Sequence, residues 1–200
     1  LSIIIRLKKV AIGQPFFMIA LISFAGLICT FKIKMATITL KGEAFKTVGE
    51  LPKEGDKAPD FQLLNSSLET VKLSDYKGKR LVLNIFPSID TNVCATSVRN
   101  FNKRAKDLEN TEVLCISRDL PFAQKRFTDG ESLSEVITLS DFQTQQFGKD
   151  YGLEIENGPF KNLLSRVVIV VDEEGKVLHS QQVTEIADEP DYLSALKTLL

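Results

Sequence analysis

The chain has 200 residues, of which 44% are hydrophobic and 26% charged. This composition is typical of a globular domain and excludes collagen-like, disordered and small disulfide-rich classes. The net charge of −1 is unevenly distributed, because residues 1–34 contain five basic and no acidic residues. The remainder therefore holds 20 basic and 26 acidic residues. Because residues 35–200 have this excess of acidic residues, they lack the basic surface on which nucleic-acid binding depends.

The number and spacing of the cysteine and histidine residues limit the kinds of functional site that the chain can form. Cys29, Cys94 and Cys115 cannot all pair within the chain, and no C-x-x-C spacing occurs. The sequence therefore indicates neither a disulfide framework nor a zinc knuckle. Because His179 is the single histidine, neither a histidine-based metal site nor a Ser-His-Asp triad is indicated.

An apolar segment at residues 10–31 follows several basic residues, as in a signal peptide. It is long enough to cross a bilayer as a helix, for which about 20 residues suffice. Two interpretations remain open: a signal or membrane anchor, or a gene start placed upstream of the true start at Met35. The first predicts an exported or membrane-anchored protein, and the second a cytoplasmic one. In both cases we expect the hydrophobic leader at residues 1–34, whether a signal, an anchor or a mis-extended start, to lie outside the fold, and residues 35–200 to form the folded domain.

From Met35 onward, short apolar runs alternate with helix-like segments. Runs at 38–40 and 44–48, on either side of Lys41-Gly42, predict a short hairpin. Further strands are predicted at 81–86, 112–117, 135–140, 166–172 and 177–183. Helices are predicted at 91–109, 121–127, 141–151 and 189–200. Strand–helix–strand units followed by a hairpin and a C-terminal helix predict a mixed α/β sandwich of the thioredoxin type.

The end of strand 81–86 carries the residues that indicate chemistry. Cys94 lies in the first turn of the next helix, where free N–H groups and the helix dipole favour the nucleophilic thiolate. Thr91 lies three residues earlier on the same face, so its hydroxyl can reach the sulfur. Pro87 ends the strand and has no N–H that could compete for hydrogen bonds. The alternative is that Cys94 continues the apolar stripe of helix 91–109 as a buried, inert cysteine.

These residues resemble a known family. The spacing Pro87-x-x-x-Thr91-x-x-Cys94 is similar to the active-site pattern of peroxiredoxins. Longer stretches resemble the bacterial thiol peroxidases, which are atypical two-cysteine peroxiredoxins: LNIFPSIDTNVCATSVRNFN at 83–102, LCISRDLPFAQKRF at 114–127, SRVVIVVDEEGKV at 165–177 and EPDYLSALKTL at 189–199. The resemblance extends over residues 35–200 and includes none of 1–34.

The resemblance implies a thiol-dependent peroxidase with a thioredoxin-like fold of peroxiredoxin type and a short N-terminal hairpin. It implies that Cys94 is the peroxidatic cysteine, that Thr91 donates to the peroxide oxygen, and that Pro87 and Arg166 complete the site. Without the resemblance, Arg166 would be interpreted as a surface residue at a strand start. The implied substrates are hydrogen peroxide and alkyl hydroperoxides, and the implied reductant is thioredoxin or another thiol. Family members are typically homodimers, and no metal or organic cofactor is implied.

One position departs from the family pattern. After the arginine–phenylalanine pair at 126–127, where thiol peroxidases usually place the resolving cysteine, this chain has Thr128. Cys115 lies inside an apolar strand, which predicts a buried core residue, and Cys29 lies in the leader. We therefore expect the sulfenic acid of Cys94 to be reduced by an external thiol.

The missing resolving cysteine also allows a second function. A peroxide sensor or redox relay would pass oxidation from Cys94 to the thiol of a partner protein. Turnover separates the two hypotheses, because a peroxidase consumes many equivalents of peroxide with a generic dithiol and a relay needs a specific protein.

Overall fold

A computed structural model describes residues 34–200. Apart from Lys34, the predicted leader lies outside the described residues, so the boundary at Met35 and the cellular location that depends on it stay predictions. Among residues 34–200, no helix is both long and apolar enough to cross a membrane.

The described part of the chain contains nine strands, four α-helices and a short 3-10 helix. The strands are β1 Thr37–Leu40, β2 Glu43–Lys46, β3 Gln62–Leu64, β4 Thr70–Lys72, β5 Arg80–Ile85, β6 Thr111–Ser117, β7 Ile137–Ser140, β8 Val167–Val171 and β9 Val177–Gln182. The helices are α1 Asn92–Ala105, α2 Pro121–Gly130, α3 Phe147–Asp150 and α4 Tyr192–Lys197, with the 3-10 helix at Leu73–Tyr76.

Seven of the strands form one sheet in the order β4-β3-β7-β6-β5-β8-β9. Strands β5, β6 and β7 are parallel, and α1 and α2 are the crossovers between them. Strand β8 is antiparallel to both β5 and β9. A parallel centre with helical crossovers, extended by an antiparallel hairpin, confirms the predicted thioredoxin-like α/β fold.

The central strands are buried on both faces, which explains why their sequences lack polar alternation. On one face, α1 and α4 pack against the sheet through apolar residues that include Val98, Phe101 and Leu196. On the other face, Phe147 and Tyr151 pack against Leu83 and its neighbours. Each face of the sheet therefore has its own apolar cluster.

The N-terminal hairpin of β1 and β2 is confirmed. Its turn, Lys41-Gly42, has φ angles of 52° and 82°, the left-handed values that a two-residue hairpin turn requires and that glycine adopts without strain. Ile38 and Phe45 on one face of the hairpin pack in an apolar cluster with Ile186, which follows β9 in the chain. The hairpin is thereby attached beside the C-terminal end of β9.

The predicted helix at 141–151 is wrong in extent, because only α3 at Phe147–Asp150 is helical within it. Asp141 is buried and accepts hydrogen bonds from the backbone N–H groups of Phe147 (3.2 Å) and Gly148 (3.3 Å). Its carboxylate also lies 3.1 Å from the buried guanidinium of Arg118. A carboxylate that satisfies the first N–H groups of α3 fixes a turn before that helix.

Candidate active site

Thr91 and Cys94 are placed by the start of α1. Thr91 is the N-cap residue, with extended backbone angles of φ −100° and ψ 144°. Its carbonyl accepts the hydrogen bond of Ala95 N–H at 2.9 Å, but its hydroxyl makes no capping bond. The hydroxyl instead lies 2.8 Å from Cys94 Sγ. The helix start therefore brings a hydroxyl and a thiol together, as the spacing predicted.

Arg166 approaches the same sulfur from the sheet. It directly precedes β8, and its Nη2 lies 3.3 Å from Cys94 Sγ. Its Nε donates to the carbonyl oxygen of Ile186 at 3.0 Å, which fixes the plane of the guanidinium. The residue is only 2% exposed, so it is not the surface residue that its position alone suggests. Within residues 34–200, its buried Nη1 has no hydrogen-bond partner.

The hydroxyl of Thr91 has one proton but two neighbours that could accept it. The carbonyl oxygen of Ser88 lies at 3.2 Å and Cys94 Sγ at 2.8 Å. A hydroxyl donates one hydrogen bond and accepts others. With a protonated thiol, the S–H can donate to Thr91 while Thr91 donates to Ser88. With a thiolate, the Thr91 hydroxyl donates its proton to the sulfur instead. The direction of the Thr91 hydrogen bond can therefore change with the charge of Cys94.

A cavity of about 150 Å³ adjoins these residues. Thr91 and Arg166 supply polar atoms to its wall, and Pro87 also lines it. Its remaining apolar lining includes Leu40, Val93, Phe160 and Ile186. Cys94 itself is 0% exposed and lies behind Thr91 and Arg166. The structure thus brings together all four residues that the sequence singled out: Pro87, Thr91, Cys94 and Arg166.

Several residues of the cavity were not found from the sequence. Leu40 belongs to the N-terminal hairpin, Phe160 to a loop before β8, and Ile186 to the segment after β9. Apolar residues in three distant segments give no local signal of a shared site. The one hint was the predicted hairpin, whose Leu40 has no place in the main sheet.

Cys115 occupies a different environment on β6. It is fully buried, as its apolar run predicted, and burial raises the pKa of its thiol to about 12. The side-chain amide of Asn84 donates a hydrogen bond to it at 3.6 Å, which acts in the opposite direction. Desolvation is the larger effect, so Cys115 remains a protonated thiol at neutral pH.

Thr128 lies in the last turns of α2. Its hydroxyl is within 3.2 Å of the Gln124 carbonyl and 3.1 Å of the Lys125 carbonyl, so it donates back to its own helix. Phe127 beside it packs against the apolar cluster beneath α1. The residue at position 128 is therefore held within an ordered helix and makes no hydrogen bond to Thr91, Cys94 or Arg166 among the described residues.

A helix-start cysteine at the end of a thioredoxin-like strand, contacted by an arginine and a threonine, defines a thiol-based redox protein. Comparison with known proteins gives the family. Residues 53–196 match the Redoxin family. The thiol peroxidase of Corynebacterium glutamicum is 53% identical over 165 residues, which is 82% of this chain and 99% of that protein. The chain belongs to the Redoxin family and, within it, to the thiol peroxidases.

Solved structures agree with this family assignment. A peroxiredoxin-like protein from Aquifex aeolicus superposes with a TM-score of 0.78 at 37% identity, over 82% of this chain and 96% of that one. A thiol peroxidase from Chromobacterium violaceum superposes with a TM-score of 0.76 at 21% identity, over 82% of this chain and 94% of that one. The second comparison supports the fold alone.

The environment of Cys115 predicts protection from alkylation. Burial raises the pKa of Cys115 to about 12, so its thiol is protonated at pH 8, and burial also blocks access to it. Iodoacetamide at pH 8 should leave Cys115 unmodified in the native protein and modify it in concentrated urea, as read by peptide mass spectrometry. Rapid native modification of Cys115 would contradict its assignment to the core.

Proposed function

We propose that the protein is a thiol-dependent peroxidase that reduces hydrogen peroxide and organic hydroperoxides through the thiolate of Cys94. The observation that carries this proposal is the convergence of two donors on Cys94 Sγ, the Thr91 hydroxyl at 2.8 Å and Arg166 Nη2 at 3.3 Å. The cavity beside them has room for a small molecule. The 53% identity to a thiol peroxidase supports the same activity.

The first step is attack of the Cys94 thiolate on one peroxide oxygen. A sulfur–oxygen bond forms while the oxygen–oxygen bond breaks, and the departing oxygen takes the electron pair. That oxygen then gains a proton and leaves as water or an alcohol. Cys94 is oxidised to a sulfenic acid, a product that thiols can reverse.

Arg166 and Thr91 can act on both the attacking sulfur and the departing oxygen. The guanidinium of Arg166 and the N–H groups of the helix start lie where they can interact with the negative charge of the Cys94 thiolate. As negative charge builds on the departing oxygen, donors that are already fixed in place stabilise it. The Nη1 of Arg166 has no partner within residues 34–200, so it is available for that oxygen. Pro87 closes the site without adding a competing N–H.

The second step is resolution of the sulfenic acid by a thiol. An incoming thiol forms a disulfide with Cys94 and releases water, and a second thiol regenerates the Cys94 thiolate while the two reductant sulfurs pair. An external thiol is favoured because Cys115 is buried with a raised pKa and position 128 offers a hydroxyl. Thioredoxin as that reductant and a homodimeric assembly, both implied by the family resemblance, stay predictions.

The proposal is tested first by replacing the cysteines one at a time. Cys94→Ser should abolish peroxide consumption with dithiothreitol as reductant, because serine does not form the nucleophilic thiolate. Cys115→Ser, the matched control, should retain most of the activity. Normal turnover by the Cys94→Ser protein would refute the proposal.

Arg166→Ala should slow the reaction of Cys94 with peroxide while the fold is retained. Loss of one fixed donor at a developing oxyanion costs about 2.7–4 kcal/mol, or roughly 100-fold to 1000-fold in rate. Arg166→Lys should recover only part of the rate, because an ammonium cannot reproduce the planar fork that contacts both Ile186 and Cys94. Stopped-flow measurement of the peroxide reaction checks both variants. An alanine variant with the parental rate would remove Arg166 from the mechanism.

Thr128→Cys should convert an externally resolved enzyme into an internally resolved one. A thiol on the same chain has a high effective concentration and competes with a second peroxide for the sulfenic acid. A disulfide requires Cα atoms within about 7 Å, and because residue 128 is held within α2, we expect that helix to unwind during this step. One equivalent of peroxide should then give a disulfide between position 128 and Cys94, seen by non-reducing peptide mapping.

In the parent protein, excess peroxide should convert the sulfenic acid of Cys94 to a sulfinic acid before an external thiol reaches it. The sulfinic acid then accumulates, because thiols do not reduce it. The Thr128→Cys variant should overoxidise less. Thr70→Cys, at an exposed position of the edge strand β4, is the matched control for an added thiol and should behave as the parent does. An efficient Cys94–Cys115 disulfide in the parent would contradict external resolution.

A further inference from the structure

Asp119 lies just beyond the end of β6, and its carboxylate is bonded to the loop that precedes α1. One oxygen, Oδ1, accepts the hydroxyl proton of Ser88 at 2.7 Å. The other, Oδ2, accepts the backbone N–H of Ile89 at 2.6 Å and the hydroxyl of Ser117 at 2.7 Å. A carboxylate is the side chain that can accept three such bonds at once, because its two oxygens offer about four acceptor sites.

The loop held by Asp119 leads directly to the reactive sulfur. The carbonyl of Ser88 accepts the backbone N–H of Thr91 at 3.2 Å and lies 3.2 Å from its hydroxyl. That hydroxyl is the group 2.8 Å from Cys94 Sγ. The carboxylate is therefore connected to Thr91 through Ser88, whose side chain bonds to Asp119 and whose carbonyl oxygen accepts the Thr91 N–H.

Asp119 is itself held firmly in place. Its backbone carbonyl accepts the hydroxyl of Ser140 and its N–H is 3.3 Å from the hydroxyl of Ser117, both of which belong to buried strand residues. The side-chain amide of Gln124, fully buried, donates to Ser117 at 2.9 Å. Asp119 is thus fixed to the end of β6 through its carboxylate and N–H and to the end of β7 through its carbonyl.

The position of Asp119 would ordinarily suggest a helix cap, since α2 begins two residues later. The N-cap residue of α2 is Leu120, and no side chain caps that helix end. All three hydrogen bonds that the carboxylate accepts within residues 34–200 come from Ser88, Ile89 and Ser117. Two of these bonds therefore hold the loop before α1, the third joins the end of β6, and none serves α2.

We propose that Asp119 is a positioning residue for the peroxidase site, which acts through the Ser88–Ile89 segment to aim the Thr91 hydroxyl at Cys94 and the bound peroxide. This inference rests on the function proposed above. Without the carboxylate, the buried N–H of Ile89 loses its acceptor and the loop before α1 relaxes. Thr91 then no longer sits where charge develops.

The test is a double-mutant cycle on the rate constant of Cys94 with hydrogen peroxide, measured by stopped flow. Asp119→Ala should slow the reaction about tenfold to a hundredfold, because small misplacements of a catalytic group have effects of that size. Thr91→Val should also slow it. The double variant should be no slower than Thr91→Val alone, since two residues that act through one group are not additive.

Two further variants sharpen the result. Asp119→Asn should return to within about threefold of the parental rate, because its amide oxygen can still accept the Ile89 N–H and its NH₂ can donate to the Ser88 hydroxyl. Asp172→Ala is the matched control. It removes a carboxylate that accepts two backbone N–H groups, from Glu174 at 2.9 Å and Lys176 at 2.8 Å, in the turn between β8 and β9. It should react at the parental rate.

Two results would overturn the inference. One is a parental rate for Asp119→Ala. The other is additivity of Asp119→Ala and Thr91→Val, because a carboxylate with a merely structural role would also slow the Thr91→Val protein. If Asp119→Ala does not fold, the same cycle is run with Ser88→Ala, which removes a single bond of the path. The rate constant of the Ser88→Ala variant should fall about threefold to tenfold, and its effect should again not add to that of Thr91→Val. Cys94→Ser separates the two proposals: if it stays active the peroxidase proposal fails, and if it is inactive while the cycle is additive only the role of Asp119 fails.

Discussion

The contact between the Arg166 guanidinium and the Cys94 sulfur is the interaction on which the site depends. A guanidinium that is 2% exposed carries a large desolvation penalty unless an anion or several acceptors surround it. Within residues 34–200 it forms no ion pair with a carboxylate, and its polar contacts are the Ile186 carbonyl and the sulfur. A thiolate at Cys94 would place an anion beside this buried cation, which is the kind of partner that a buried guanidinium requires.

The sheet explains how residues 72 positions apart meet in this contact. Strand β8 is antiparallel to β5, and its first residue, Val167, pairs with Ile85 at the end of β5. The chain leaving β5 and the chain entering β8 therefore lie at the same edge, with Cys94 on one and Arg166 on the other. The N-terminal hairpin and the segment after β9 close the remaining side through Leu40 and Ile186. The fold thus joins a cysteine and an arginine that no local segment contains together.

The sequence was most informative where the signal was local. Apolar runs predicted the buried strands, and the helix-start position of Cys94 with Thr91 predicted their contact. The burial of Arg166 could be inferred only from a family resemblance, because strand-start arginines are ordinarily exposed. The predicted helix at 141–151 was too long because the Asp141 carboxylate accepts hydrogen bonds from the N–H groups of Phe147 and Gly148. The same carboxylate pairs with Arg118, a tertiary contact that sequence periodicity does not encode.

In the proposed mechanism, the complete burial of Cys94 separates the two halves of the catalytic cycle by the size of the reactant. A peroxide of a few atoms fits a cavity of about 150 Å³, whose wall includes Thr91 and Arg166, the two residues that contact the sulfur. A thiol carried on a protein surface has no direct route to a sulfur that is 0% exposed. In this mechanism, oxidation can proceed in the closed molecule, whereas reduction by a protein thiol requires the residues that cover Cys94 to move. The frequency of that movement would then set how long the oxidised sulfur persists, and so how often a second peroxide reaches it first.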